Sequence, residues 1–315
     1  PYMIELNKDN YFSIENTAIS STKVNTFLKS KEYYYKRFVS GEIPSDLTPS
    51  ISLGKLVDEC IEHGSVDWFT KNYSVAVLKR DNPELFAQQK ENPERVVSPD
   101  VYAKVVGMCD KILRSPFFSF YNPLVNEGVK VEWQKPLWTS IPVTTSIKET
   151  VIDKDHAALD GEGVMVDICG MLDILSFQYD KNHKLTAYID DLKTTNSSSL
   201  RSATTWAWHV QDFGYHRQMA CYRLLVRNAF PEVEDIVCRH FVIGTNKADY
   251  HPIRLYKFPE ALLAKGETEF LKVAAEISVE QEFIDKLPDW GEAEEIPELT
   301  PDQMEIISDD EMDSL

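Results

Sequence analysis

LTAYIDDLKTT, residues 185 to 195, runs as a buried strand until it meets two acids and a lysine. Side chains on a strand alternate between its two faces, so Asp191 and Lys193 share one side while Asp190 and Leu192 turn to the other. Upstream, GVMVDICGMLDILSF (residues 163 to 177) is also strand-like, and the polar run Asp180-Lys181-Asn182-His183 between the two suggests a hairpin. Such a hairpin could carry Asp173 alongside Asp191 and Lys193, which would bring two carboxylates and an ammonium into one small volume.

The flanking segments place this pair inside a mixed α/β fold. VKVEWQKPLW (residues 129 to 138) precedes it as a further strand, and IVCRHFVIGT (236 to 245) and IRLYKF (253 to 258) follow as another strand pair. Capped by Ser20-Ser21-Thr22, VNTFLKSKEYYYKRF (24 to 38) predicts one helix rich in tyrosine and lysine. In ISLGKLVDECIEHG (51 to 64), Leu53, Leu56, Val57, Cys60 and Ile61 fall at the spacing of an amphipathic helix. Further helices are expected over Pro99 to Leu113, Thr204 to Asn228 and Glu260 to Val279. The expected architecture is a central mixed β-sheet flanked by helices.

With 315 residues, 43% of them hydrophobic, the chain can bury a large core. It lacks an apolar run long enough to span a bilayer, and PYMIELNKDN lacks the regions of a signal peptide. The expectation is a soluble cytoplasmic protein without membrane partners. Its five cysteines are far apart in sequence and form no CxxC pair, so neither a zinc site nor an iron–sulfur cluster is expected.

A net charge of −18 argues at first against a nucleic-acid partner, because phosphates are bound by lysines and arginines. Its distribution weakens the objection. From Asp285 onward 12 acids face the single Lys286, and the remainder carries 39 acids and 32 bases, a net of −7. Residues 285–315, interrupted by Pro288, Pro297 and Pro301, read as an acidic flexible tail, and residues 1–284 as a single domain.

Carboxylates as close as Asp173 and Asp191 raise each other's pKa unless a cation lies between them. Mg²⁺ suits such hard oxygen ligands, with Mn²⁺ as the alternative. A neighbouring lysine would orient an attacking water or stabilise charge growing on a phosphate, the requirements of phosphodiester hydrolysis. Downstream, Gln218 and Tyr222 lie one helical turn apart and, with Gln211 and Tyr215, form a polar and aromatic stripe.

Taken together, GMLD (Gly170 to Asp173), DLKTT (Asp191 to Thr195) and QMACY (Gln218 to Tyr222) resemble the ordered motifs of the PD-(D/E)XK nuclease superfamily, in its RecB-like and exodeoxyribonuclease VIII (RecE)-like branch with a QxxxY motif. ISSTKVNTFLKS and SLGKLVDECIEHG are similar to that branch's opening helix and glycine-led helix, so the resemblance spans roughly residues 19 to 226. It implies a restriction-endonuclease-like core in which Asp173, Asp191 and the carbonyl of Leu192 face the metal and Lys193 is the catalytic lysine. Gln218, Tyr222, Tyr215, Thr194 and Thr195 would line the site or contact DNA. Relatives often carry a histidine four residues after the glycine of the glycine-led helix. Here Asp58 follows Gly54 at that spacing and is the first choice of ligand, with Glu59, Glu127 and Glu132 as second choices.

The implied activity is exonucleolytic digestion from DNA ends, leaving 3′ single strands for an annealing protein in phage-type recombination, in a bacterial or phage-infected cell. A homo-oligomer is expected too, because relatives form rings around DNA. Lys23, Lys29, Lys31, Lys36 and Arg37 with Tyr33, Tyr34 and Tyr35 would offer cations and rings to a threading strand. Two other readings use the same residues: an endonuclease or single-strand nuclease, and an inactive DNA- or protein-binding relative.

Overall fold

The computed structural model describes residues 6–15, 17–44, 53–121, 128–143, 164–179, 183–280 and 305–306. Glu127, positions 180–182 of the expected hairpin turn and most of the acidic segment lie outside them. The main sheet comprises β1 (Lys130–Val143), β2 (Val164–Tyr179), β3 (Leu185–Thr195), β4 (Asp235–Gly244) and β5 (Ile253–Lys257). A two-residue β6 (Glu305–Ile306) pairs with β5, and the strands lie side by side in sequence order. β3 and β4 are parallel and every other adjacent pair is antiparallel. A parallel pair needs a long crossover, which the helices between β3 and β4 supply. The structure is therefore the mixed α/β sheet flanked by helices that the pattern of the sequence predicts.

The principal helices are α1 (Ser21–Lys29), α2 (Leu53–Glu62), α3 (Pro99–Leu113), α4 (Ala203–Asp212), α5 (Tyr215–Ala229) and α6 (Glu260–Glu280). One face of the sheet buries Leu172, Leu175 and Ile189 against Phe27 of α1, Met219 and Leu225 of α5 and Phe270 of α6. On the other face Leu192, Phe241, Ile243 and Leu255 pack with Leu56, Val57 and Cys60 of α2 and Met108 and Ile112 of α3. Strand alternation thus sends the even-numbered Leu192 and the odd-numbered Asp191 and Lys193 into different layers.

Two expected helices divide. The segment 24 to 38 breaks at Ser30, whose N–H closes α1 on the Thr26 carbonyl at 3.0 Å. The Ser30 hydroxyl then accepts the Tyr33 N–H at 3.0 Å and caps the short helix Lys31–Tyr34. The segment 204 to 228 breaks at Gly214, whose φ of 68° lies in the left-handed region that glycine enters without a Cβ penalty. This corner separates α4 from α5 and sets the direction in which α5 crosses the sheet.

A fork between β2 and β3 positions the site. The two strands pair from Tyr179 opposite Leu185 to Ile174 opposite Asp190. Beyond that point β3 continues to Thr195 alongside β4. β2 continues alongside β1 and meets Ile19, which donates its N–H to the Asp167 carbonyl (2.8 Å) and accepts the Cys169 N–H (3.1 Å). Asp173 and Asp191 are the first residues past the fork.

Candidate functional site

Where the ladder ends, a side chain takes over its hydrogen bonding. Asp173 Oδ2 accepts the Leu192 N–H at 3.0 Å, satisfying a strand donor that the fork leaves without a ladder partner. Asp173 Oδ1 accepts a hydrogen bond from Gln134 Nε2 at 3.3 Å. Gln134 lies on β1 between the pairs Trp133–Ile174 and Lys135–Leu172, directly across from Asp173, and its φ of 47° is left-handed. A non-glycine residue persists there only when its surroundings over-determine it, a condition that clusters at functional sites.

Asp191 and Lys193 share a face, with Nζ 2.5 Å from Asp191 Oδ2. The ammonium also donates to Gln218 Oε1 at 3.2 Å and lies 4.6 Å from the centre of the Tyr215 ring. Gln218 Nε2 in turn donates to Tyr222 Oη at 2.9 Å. α5 thus presents Tyr215 and Gln218 to the lysine, and Tyr222, one turn further on, holds Gln218. Asp190 turns away and holds Arg239 in a buried bidentate pair of 2.6 and 2.8 Å, between the rings of Phe120 and Tyr188.

Asp58 approaches from α2. Burial, and then the charges of Asp173 and Asp191, hold its carboxyl well above the usual carboxylate range. Burial followed by the charge of Asp191 pushes Asp173 up to about 7. Burial likewise raises Asp191, against the opposing pull of Lys193. For Lys193 burial favours the neutral amine, but Asp191 and Asp173 outweigh it and keep the ammonium charged above the ordinary lysine value. The site is three mutually repelling carboxylates around one cation, with Asp191 buried and Asp58, Asp173 and Lys193 half-buried.

These residues suit a hard divalent ion in their donor chemistry. Asp58 Oδ1 is a buried oxygen without a hydrogen-bond partner among the described residues, and a positive charge beside it would relieve all three acids. Among the described residues no three Asp, Glu, His or Cys side chains converge on one metal-sized point as they stand, and Asp191 is drawn to Lys193 instead.

No family model matches the chain, and no curated protein does. Its fold is similar to the crystal structure of a candidate exonuclease from Eubacterium rectale, with a TM-score of 0.56 and 18% identity, over 91% of this chain and 90% of that one. The likeness is one of fold. It extends over nine-tenths of both chains.

Other residues singled out in the sequence are committed elsewhere. Glu59 accepts the Tyr73 hydroxyl at 2.5 Å and lies 3.5 Å from Arg95. Glu132 is paired with Lys130 (2.7 Å) and Lys135 (2.5 Å); although burial works against it, hydrogen bonds from these lysines hold its carboxylate below the usual range. Thr195 is buried on the Lys193 side, and its carbonyl accepts the Thr245 N–H at 2.8 Å; Thr194 lies on the Leu192 side. The cationic run at the amino-terminal end is tied into the fold. Lys23 donates to the Ala18 carbonyl, Lys31 pairs with Glu276, Lys36 with Glu32, and Tyr34 is buried. Those contacts fasten the first helices to α6 and to one another.

Two site residues escape the sequence reading. Gln134 is one, and His240 is the other. His240 lies opposite Asp191 across the parallel β3–β4 ladder, with Nε2 3.6 Å from Asp191 Oδ2. Its fully buried ring packs among Trp206, Tyr215 and Phe258. Burial, reinforced by the Lys193 charge, pushes its pKa well below the usual value and keeps it neutral. The only signal in the sequence was a polar pair, Arg239-His240, inside an apolar strand.

Proposed function

We propose that this chain is a divalent-cation-dependent deoxyribonuclease that hydrolyses phosphodiester bonds from DNA ends, in the manner of the exodeoxyribonuclease VIII-like branch. One observation carries the reading: Asp173 and Asp191 stand together at the strand fork with Lys193 Nζ 2.5 Å from Asp191 Oδ2, and Asp58 of α2 brings a third carboxylate within reach of their charge. The likeness in fold to a candidate exonuclease supports the same reading.

Asp173 and Asp191, with Asp58 and the carbonyl of Leu192, would hold Mg²⁺ or Mn²⁺. A cation held there supplies Lewis-acid polarisation of the phosphoryl oxygens. The Lys193 ammonium, kept protonated by Asp191 and Asp173, places a positive charge where negative charge grows on the phosphate during attack. Gln218 fixes that ammonium through its Oε1 and is itself fixed by Tyr222, so the lysine is pre-organised before DNA arrives. Asp173 orients β3 by holding the Leu192 N–H. Released 3′ single strands would pass to an annealing protein, and a homo-oligomer encircling DNA would keep the enzyme on its substrate.

The test is digestion of linear duplex DNA, labelled at either the 5′ or the 3′ end, with Mg²⁺ or Mn²⁺, beside a covalently closed circle of the same sequence. Wild type is expected to shorten the linear DNA and spare the circle, while Lys193→Ala and Asp191→Ala lose at least about a hundredfold in rate. Equal digestion by all three proteins overturns the site. Cutting of the closed circle favours an endonuclease, and inertness on linear and single-stranded DNA with both metals removes the nuclease reading.

A further inference from the structure

Phe213 stands at the Gly214 corner between α4 and α5, with 48% of its surface exposed. Isolated exposed apolar residues are ordinary, but this one is fixed on several sides. Its N–H is bonded to the His209 carbonyl at 3.1 Å, and its carbonyl accepts Asn25 Nδ2 at 3.3 Å. Asn25 is itself held by Arg217 Nε at 2.8 Å. The ring lies 4.5 Å from that of His209 and stacks on Tyr215 at 5.6 Å, the planes within 19° of parallel. Tyr215 is the ring against which the Lys193 ammonium rests. Among the described residues Phe213 is the exposed aromatic that stacks directly on a residue of the site.

On the basis of the nuclease reading above, we infer that Phe213 is a stacking platform for an unpaired nucleobase next to the phosphate that reaches Lys193. A rigid exposed ring costs little ordering when a base lands on it, and every base offers a π-face, so the contact serves any sequence. Inside a duplex both faces of a base are covered by its neighbours, whereas a terminal nucleotide has a free face and a frayed or single-stranded one can also swing onto the platform. Phe213 therefore assigns the site a preference for an unstacked end and grips the strand one nucleotide away from the chemistry. The acids hold no phosphate without a cation, so the platform acts together with the metal-loaded site.

The test uses the full chain in Ca²⁺, which takes the same oxygen ligands, and single-stranded oligonucleotides carrying one 2-aminopurine at successive positions from the end. Wild type is expected to quench the probe at one position near the end. Phe213→Trp retains that quenching, whereas Phe213→Leu, which keeps the apolar bulk and removes the ring, loses it and binds about five- to fiftyfold more weakly. If wild type binds but quenches at no position, or Phe213→Leu quenches and binds as wild type does, the platform is overturned and the nuclease reading is untouched. If wild type binds no DNA at all, the nuclease reading falls and the platform falls with it.

Discussion

Asp58 is held where a negative charge is least welcome, beside two more carboxylates and largely out of water. The sign of the consequence follows from linkage. The folded chain keeps the Asp58 proton at pH values where the unfolded chain, releasing it near about 4, has lost it. Between those two pKa values the folded state binds more protons, so stability falls as pH rises and remains low above the folded value. Asp58→Asn removes the charge while leaving an oxygen in the same place. In EDTA the variant is expected to melt about 3 °C or more above wild type near about pH 8, and level with it near about pH 4. Added Mg²⁺ should raise the wild-type melting point more than the variant's, since a ligand stabilises only the state that binds it. Scanning calorimetry at the two pH values measures both effects, and coincident curves near pH 8 remove Asp58 from the charge cluster.

The way α5 meets β2 shows which elements the sequence exposes and which it conceals. A Cβ on Gly170 would fall 2.7 Å from Tyr222 Cε1 and 3.0 Å from Leu225 Cδ1, so the absence of a side chain lets the helix seat Tyr222 against the strand. Gly170→Ala is expected to displace that ring, weaken its bond to Gln218 and cost about 1–3 kcal/mol of stability. Urea unfolding reads the loss, and an unchanged midpoint means the ring has room to move. The alternation around Asp191 and Lys193 and the turn spacing of Gln218 and Tyr222 are legible because each follows from local periodicity, whereas the Gly170–Asp173 motif stands out through the family resemblance alone. Gln134 is not legible in that way, since its left-handed backbone falls where the β1–β2 register skips a pair and leaves no mark on VKVEWQKPLW. His240 is hidden for a different reason. Its place beside Asp191 depends on the register of a parallel pair joined through two helices, which no periodicity specifies. Ser30 and Gly214, by contrast, do carry their own signals as a cap and a left-handed stop, and the apolar pattern continuing across them hides the breaks.

At the scale of the whole molecule, charge and topology act together at one edge of the sheet. Most of the excess acid lies beyond Ile284, yet β6, within that segment, returns to pair Glu305 with Lys257 and Ile306 with Tyr256. Removing residues 285–315 changes the net charge from −18 to −7 and uncovers the outer edge of β5. Among the described residues, the core on both faces of β1 to β5 is built from residues before 281, so folding is expected to survive with only a small loss in melting temperature. Repulsion between the acidic segment and DNA should disappear with it. At low salt the shortened chain is expected to bind DNA about two- to tenfold more tightly than the full chain. The gap should close as salt rises, because screening shortens the reach of exposed charge to about 10 Å at 0.1 M. Anisotropy of a labelled oligonucleotide across a salt series measures the gap, alongside a thermal melt of each chain. A constant gap at all salt concentrations assigns the effect to a contact rather than to charge, and collapse of the melt shows the acidic segment to be part of the sheet's stability.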